Sequence, residues 1–150
     1  MIYSSACEYA IRAASYLALR HDPEAEDRGG LIRLQDIAEA EELPPPFLSS
    51  ILHRLVSAAL LRSARGPTGG YGLARPPDEI TLLDVKAAVD GLHDLEGCAV
   101  GLDRCSDEMP CPLHDTWKPI RERIRSYLTD TTLADMAQAL ERKRELIRDK

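Results

Sequence analysis

Aromatic residues are scarce in this 150-residue chain: they make up 5% of it, with a single Trp and a single Phe. A core must therefore be built mostly from Leu, Ile, Ala and Val. No apolar run approaches ~20 residues, so no helix is expected to span a membrane. The opening MIYSSACEYAIRAASYLAL has no basic leader and sets Glu8 and Arg12 at helical spacing. It reads as a mature helix rather than a signal peptide, which leads to the expectation of a cytoplasmic chain with reduced thiols. Internal repeats and low-complexity tracts are missing. So are Ser/His/Asp, Walker and Rossmann patterns, which argues against an enzyme. The remaining composition, 44% hydrophobic and 29% charged, suits one compact domain or a small domain with an arm.

Acid is missing where base is present. From Phe47 to Pro76 there are four arginines (Arg54, Arg62, Arg65, Arg75) and no Asp or Glu. The rest of the chain carries 15 Lys+Arg against all 25 Asp+Glu, inside a net charge of −6. A basic face on an acidic body is the footprint expected where phosphates dock.

The apolar pattern places a helix over residues 4–19, a polar loop over 21–30 and a short helix from Leu34 to about Glu41. LPPP then breaks the chain. A second helix runs from Phe47 to about Ala58, with Leu48, Ile51, Leu52 and Leu55 as its apolar stripe. Leu60–Ser63 and Tyr71–Ala74 are short strands around the Gly/Pro turn RGPTGG, as in a hairpin. Helix, turn, helix and basic hairpin together make a winged helix-turn-helix for double-stranded DNA, with the second helix in the major groove. Opposite its apolar stripe lie Ser49, Ser50, His53 and Arg54, groups able to bond bases or phosphates. A helix over about Thr81–Val89 follows. Beyond Pro112, Leu113, Trp117, Ile120, Ile124 and Tyr127 are spaced 4, 3, 4, 3, a heptad seam suited to a dimer helix. Leu133, Met136, Ala137 and Leu140 form the inner face of a last helix, and ERKRELIRDK is expected to fray. The fold expected is mainly α. A DNA-binding unit spans 1–77, and 78–150 holds the cysteine loop and dimerisation helices.

That loop reads Cys98-x6-Cys105-x5-Cys111-x2-His114. A disulfide is disfavoured by a reducing compartment and leaves one of three thiols over. Three cysteines and a histidine are a zinc complement, yet zinc sites pair cysteines two to four residues apart. The wider gaps favour an iron–sulfur cluster, and Gly97, Gly101, Pro110 and Pro112 let the backbone wrap.

The wing RGPTGGYGLARPP, the helix ITLLDVKAAVDG, the three spaced cysteines and TLAD at 132–135 occur in one chain. Over about residues 1–137 it resembles the Rrf-type family of bacterial iron–sulfur transcription regulators, with its IscR-, NsrR- and RirA-like members. The resemblance implies a homodimeric repressor or activator that responds to iron–sulfur supply, nitric oxide or oxidants through a 2Fe–2S or 4Fe–4S cluster. By that resemblance Cys98, Cys105 and Cys111 are cluster ligands. The fourth is His114 in the IscR-like pattern, or Glu8 from the first helix of the other subunit in the NsrR-like one. The wing implies Arg65 in the minor groove, with Gly69, Gly70 and Tyr71 setting its close approach. PPPF at 44–47 departs from the IscR-like residues there, so a carried-over operator is not implied. A cluster-free regulator responding to zinc or thiol oxidation, or a small metal or redox protein, are the rival readings.

Overall fold

The computed structural model describes residues 2–25 and 30–149; part of the loop expected at 21–30 falls outside these. Helix α1 spans Ser5–Leu19 and begins where Ser4 Oγ accepts a bond from the Cys7 N–H at 3.1 Å. Its inner face carries Cys7, Ala10, Ala13, Ala14, Leu17 and Ala18, all buried. Those small side chains let other elements come close, and α1 sits centrally against α2 (Leu34–Glu41), α3 (Pro45–Ser57), α4 (Leu82–Val89) and α6 (Leu133–Arg148). Leu and Ile from every one of these except α6's outer half fill the core, with Ile37, Leu48, Leu52, Leu55 and Leu82, and Ile80 just before α4, almost wholly covered.

The turn between α2 and α3 follows from its residues. Glu42 takes the left-handed conformation (φ 52°) that ends α2, Leu43 is buried, and Pro45 opens α3. Proline is tolerated there because the first helical N–H has no partner in any case. Helix α3 thus starts two residues before the expected Phe47. The wing is an antiparallel pair, β1 (Leu61–Ala64) and β2 (Gly70–Leu73), with Leu61 opposite Leu73 and Ala64 opposite Gly70. Both strands lie one residue from their expected bounds. Ile32 bridges to Tyr71 through two backbone bonds of 2.8 and 2.9 Å, which ties the wing to the start of the helix-turn-helix.

Two similar tetrapeptides close the fold. TLLD (81–84) and TLAD (132–135) each form a capping box, in which Thr takes the N–H of the Asp and the Asp takes the N–H of the Thr. The two boxes lie side by side. Thr81 bridges Thr132, with Leu82 N–H on the Thr131 carbonyl and Leu133 N–H on the Ile80 carbonyl, both at 2.9 Å. The chain therefore returns after α5 (His114–Asp130) to where α4 began, and α6 packs along α1. The charged tail does not fray as expected. It is helical to Arg148, and Arg144 reaches Glu41 at 3.2 Å beside Arg12 at 3.5 Å. Glu41, with its side chain 10% exposed, joins three helices.

Candidate nucleic-acid interface and cysteine site

On α3 the Leu48–Ile51–Leu52–Leu55 stripe is buried, which turns Ser50, His53 and Arg54 to the surface and leaves Ser49 half-buried. Arg54 also donates to the Val89 carbonyl at the end of α4, at 3.3 Å, so it braces the last turn of α4. Arg65 is exposed at the wing tip, where Arg33 holds the Pro67 carbonyl at 2.7 Å. The glycines beside it answer to neighbours within the chain. A Cβ on Gly69 would lie 2.3 Å from the Ala64 carbonyl oxygen, and one on Gly70 2.4 Å from that of Ile32. Tyr71 is half-buried and carries the bridge to Ile32.

The three loop cysteines converge. Cys98, Cys105 and Cys111 place their sulfurs within 4.8 Å of one another, half-buried, with Cys98 and Cys111 at 3.5 Å. All four cysteines are free thiols. Gly101, at φ 73°, supplies a left-handed residue that lets the loop curl. His114 begins α5 and is 7% exposed; its Nδ1 lies 3.3 Å from Cys105 Sγ. Its Nε2 lies 2.8 Å from Asp107, which Lys118 holds at 2.7 and 2.9 Å. The loop's entry is pinned as well: Arg121 donates to the Gly97 carbonyl at 3.0 Å and Arg125 to that of Leu95 at 3.4 Å. Asp107, Lys118, Arg121 and Arg125 are site residues that sequence reading missed. The four-residue spacings of His114 with Lys118 and of Arg121 with Arg125 were the available signal for three of them; no local pattern marks Asp107.

Glu8 stands apart within one chain. It lines a groove with Tyr3, Ile11, Arg12 and Met136, and among the described residues its carboxylate forms no ion pair. Its neighbour Arg12 turns to Glu41 and the Tyr9 ring instead.

The thiols differ in acidity. Backbone N–H groups of Val100 and Leu102 lower Cys98 to about 7. At Cys105 the Cys111 N–H pulls downward, but lost hydration and the adjoining thiols outweigh it and raise the thiol. Burial, followed by Asp90, pushes Cys7 up to about 12. Since the thiolate is the nucleophile, alkylation of the metal-free protein near neutral pH is expected to label Cys98 first and Cys7 last. Peptide mass mapping over time checks the order, and early labelling of Cys7 contradicts it.

Residues 3–139 match the family described as Rrf2, iron-dependent transcriptional regulator. The chain belongs to the Rrf2 family. This Rrf2 chain is 34% identical over 136 residues to the HTH-type transcriptional regulator IscR of Aliivibrio salmonicida, covering 91% of itself and 79% of that relative. Among solved structures it resembles CymR, the global cysteine regulator of B. subtilis (TM-score 0.73, 29% identity, 93% and 98% of the two chains). It also resembles T. potens IscR (TM-score 0.70, 27% identity, 95% and 90%). The family and the mainly α, winged-helix fold expected from the sequence are both borne out, and the chain is a DNA-binding transcription regulator of the Rrf2 type. No helix of the described residues is long and apolar enough to cross a membrane.

Proposed function

We propose that this Rrf2 regulator binds double-stranded DNA as a homodimer and that an iron–sulfur cluster, 2Fe–2S or 4Fe–4S, sets its affinity for the operator. The observation that carries the reading is the convergence of Cys98, Cys105 and Cys111 within 4.8 Å on a chain that also holds a winged helix-turn-helix. The donors suit a cluster in which two thiolates share one tetrahedral iron. Sulfurs at about 2.3 Å from one ion stand about 3.8 Å apart, near the 3.5 Å between Cys98 and Cys111. A bound cluster supplies a centre that reacts with oxidants and nitric oxide. The similarity to IscR supports the same reading.

The protein's part is to connect that loop to the recognition helix α3. Arg121 and Arg125 of α5 hold the carbonyls at 97 and 95. Lys86 of α4 holds Gly91 and Asp94 at 3.3 and 3.0 Å, and Arg54 of α3 holds the end of α4. Because α4 also packs against both α3 and α5, these contacts form a continuous route by which a change of loop conformation reaches α3. Residues 1–77 read DNA through Ser49, Ser50, His53, Arg54 and the wing, and 78–150 carry the cysteine loop and the dimer helix. Leu113, Ile120 and Tyr127 stand exposed on one side of α5, the surface a second copy covers. In that dimer Glu8 is available to the partner's loop, while His114 serves within its own chain.

A second reading has its own support. All three sulfurs lie within 4.8 Å, compact enough for a single tetrahedral ion, and Cys3His is a zinc complement. Anaerobic purification separates the two. Iron, sulfide and visible charge-transfer absorption are expected; colourless protein with stoichiometric zinc favours the second reading, and neither metal defeats both. On the DNA side, Arg65→Ala should weaken operator binding by about 1–3 kcal/mol and leave the metal content unchanged. Unaltered DNA affinity defeats the assignment of the wing.

A further inference from the structure

The His114 ring is engaged at both nitrogens. Nδ1 faces the sulfur of Cys105 at 3.3 Å, and Nε2 lies 2.8 Å from Asp107 Oδ1. The same carboxylate takes two bonds from Lys118, one turn further along α5. With both oxygens on the Lys118 ammonium, Asp107 is the carboxylate half of an ion pair. An ionised carboxylate offers only lone pairs, and Nε2 must therefore be the donor. In the neutral ring that leaves the lone pair on Nδ1, the nitrogen turned toward Cys105.

We propose that Asp107 is a positioning residue: it locks His114 in the Nε2–H tautomer and turns Nδ1 onto Cys105, at one side of the three-sulfur group. The chain then offers a nitrogen donor on the Cys105 side of its three sulfurs. A carboxylate on the far nitrogen is the usual way a ligating imidazole is oriented, and losing it commonly costs about 10–100-fold in metal affinity. The inference rests on reading the thiols as a metal site. The plainer account treats Asp107 as half of an exposed ion pair with Lys118. That account says nothing about the ring and requires the pair's charge, not an acceptor for Nε2–H.

Two measurements on the full-length chain separate these accounts. Long-range 15N–1H spectra of the metal-free protein near pH 8, where an ordinary imidazole is neutral, report which ring nitrogen is protonated. The wild type should show His114 with bare Nδ1, and Asp107→Ala a mixture of tautomers. Co2+ titration against a chelator, read by its thiolate charge-transfer and ligand-field bands, gives affinity and donor set. Asp107→Ala should bind about 10–100-fold more weakly with three thiolates retained. Asp107→Asn keeps an acceptor oxygen but loses the charge, and it should recover most of the affinity. Asp107→Ala with wild-type tautomer and Co2+ affinity overturns the proposal, and so does Asp107→Asn as weak as Asp107→Ala. Wild-type protein that binds no Co2+ defeats the metal reading alone; the tautomer comparison still decides for or against Asp107.

Discussion

Replacing Lys86 by alanine is expected to cost about 3 kcal/mol, the lower end for breaking a buried ion pair. For a chain of this length that lowers the melting temperature by roughly 6–12 °C. The ammonium is 1% exposed and lies 3.0 Å from Asp94, 3.9 Å from Asp90 and 3.3 Å from the Gly91 carbonyl. The figure stays at the low end because the carboxylates are not stranded alone. Asp94 is 45% exposed, and Ser4 donates to Asp90 through its N–H at 2.8 Å and through its hydroxyl. Methionine at 86 keeps the buried stem and loses only the charge, so Lys86→Met should be the milder of the two. Urea unfolding measures both costs. Hydrogen exchange gives the local readout: amides of 90–97, the segment leading into Cys98, should exchange faster in either variant. Wild-type stability in Lys86→Ala contradicts the claim that this charge is held by its neighbours.

Gly70→Ala is expected to detach the wing. Gly70 sits at φ 148°, and an added Cβ would lie 2.4 Å from the Ile32 carbonyl oxygen, 2.6 Å from its carbon and 3.0 Å from the Arg33 nitrogen. All three are backbone atoms, so no side chain can swing aside. Relief requires separating Ile32 from Tyr71 and losing the two bonds that join them. A cost of at least about 2 kcal/mol follows from the strain plus the lost pairing. Gly66→Ala is the internal control. It too has positive φ (100°), but no atom lies within 4 Å of the new Cβ, so it meets backbone strain without the clash. Thermal unfolding of the pair isolates the clash. DNA affinity should fall with Gly70→Ala as well, because Arg65 is carried on the same hairpin. Equal stability of the two variants contradicts this account.

Helix periodicity, proline breaks and the Gly/Pro turn were enough to locate every long element, because each buries one stripe and the spacing of that stripe is set by the local backbone. Errors were confined to ends. The start of α3 moved back onto Pro45, and the tail held together because Arg144 and the α6 face find partners on α1 and α2. Those partners lie about a hundred residues away in sequence, beyond any local pattern. The heptad seam of α5 was legible too, but its division was not. Trp117 and Ile124 line a groove with Leu95 and Cys98, while Leu113, Ile120 and Tyr127 stand exposed.

The cysteine loop shows the same boundary between what is local and what is not. Residue type and spacing, which are covalent facts, were enough for the resemblance to the family, the winged-helix layout and the three thiols; Glu8 and His114 entered as alternatives through that resemblance. Only the packed fold sets His114 against Cys105 within its chain while Glu8 lines a separate groove. It alone supplied Asp107 behind the imidazole and the Lys86 and Arg54 contacts that join loop to recognition helix. The physical reason is that such contacts depend on which faces meet when helices pack, and packing is set by the whole core rather than by neighbours in the chain.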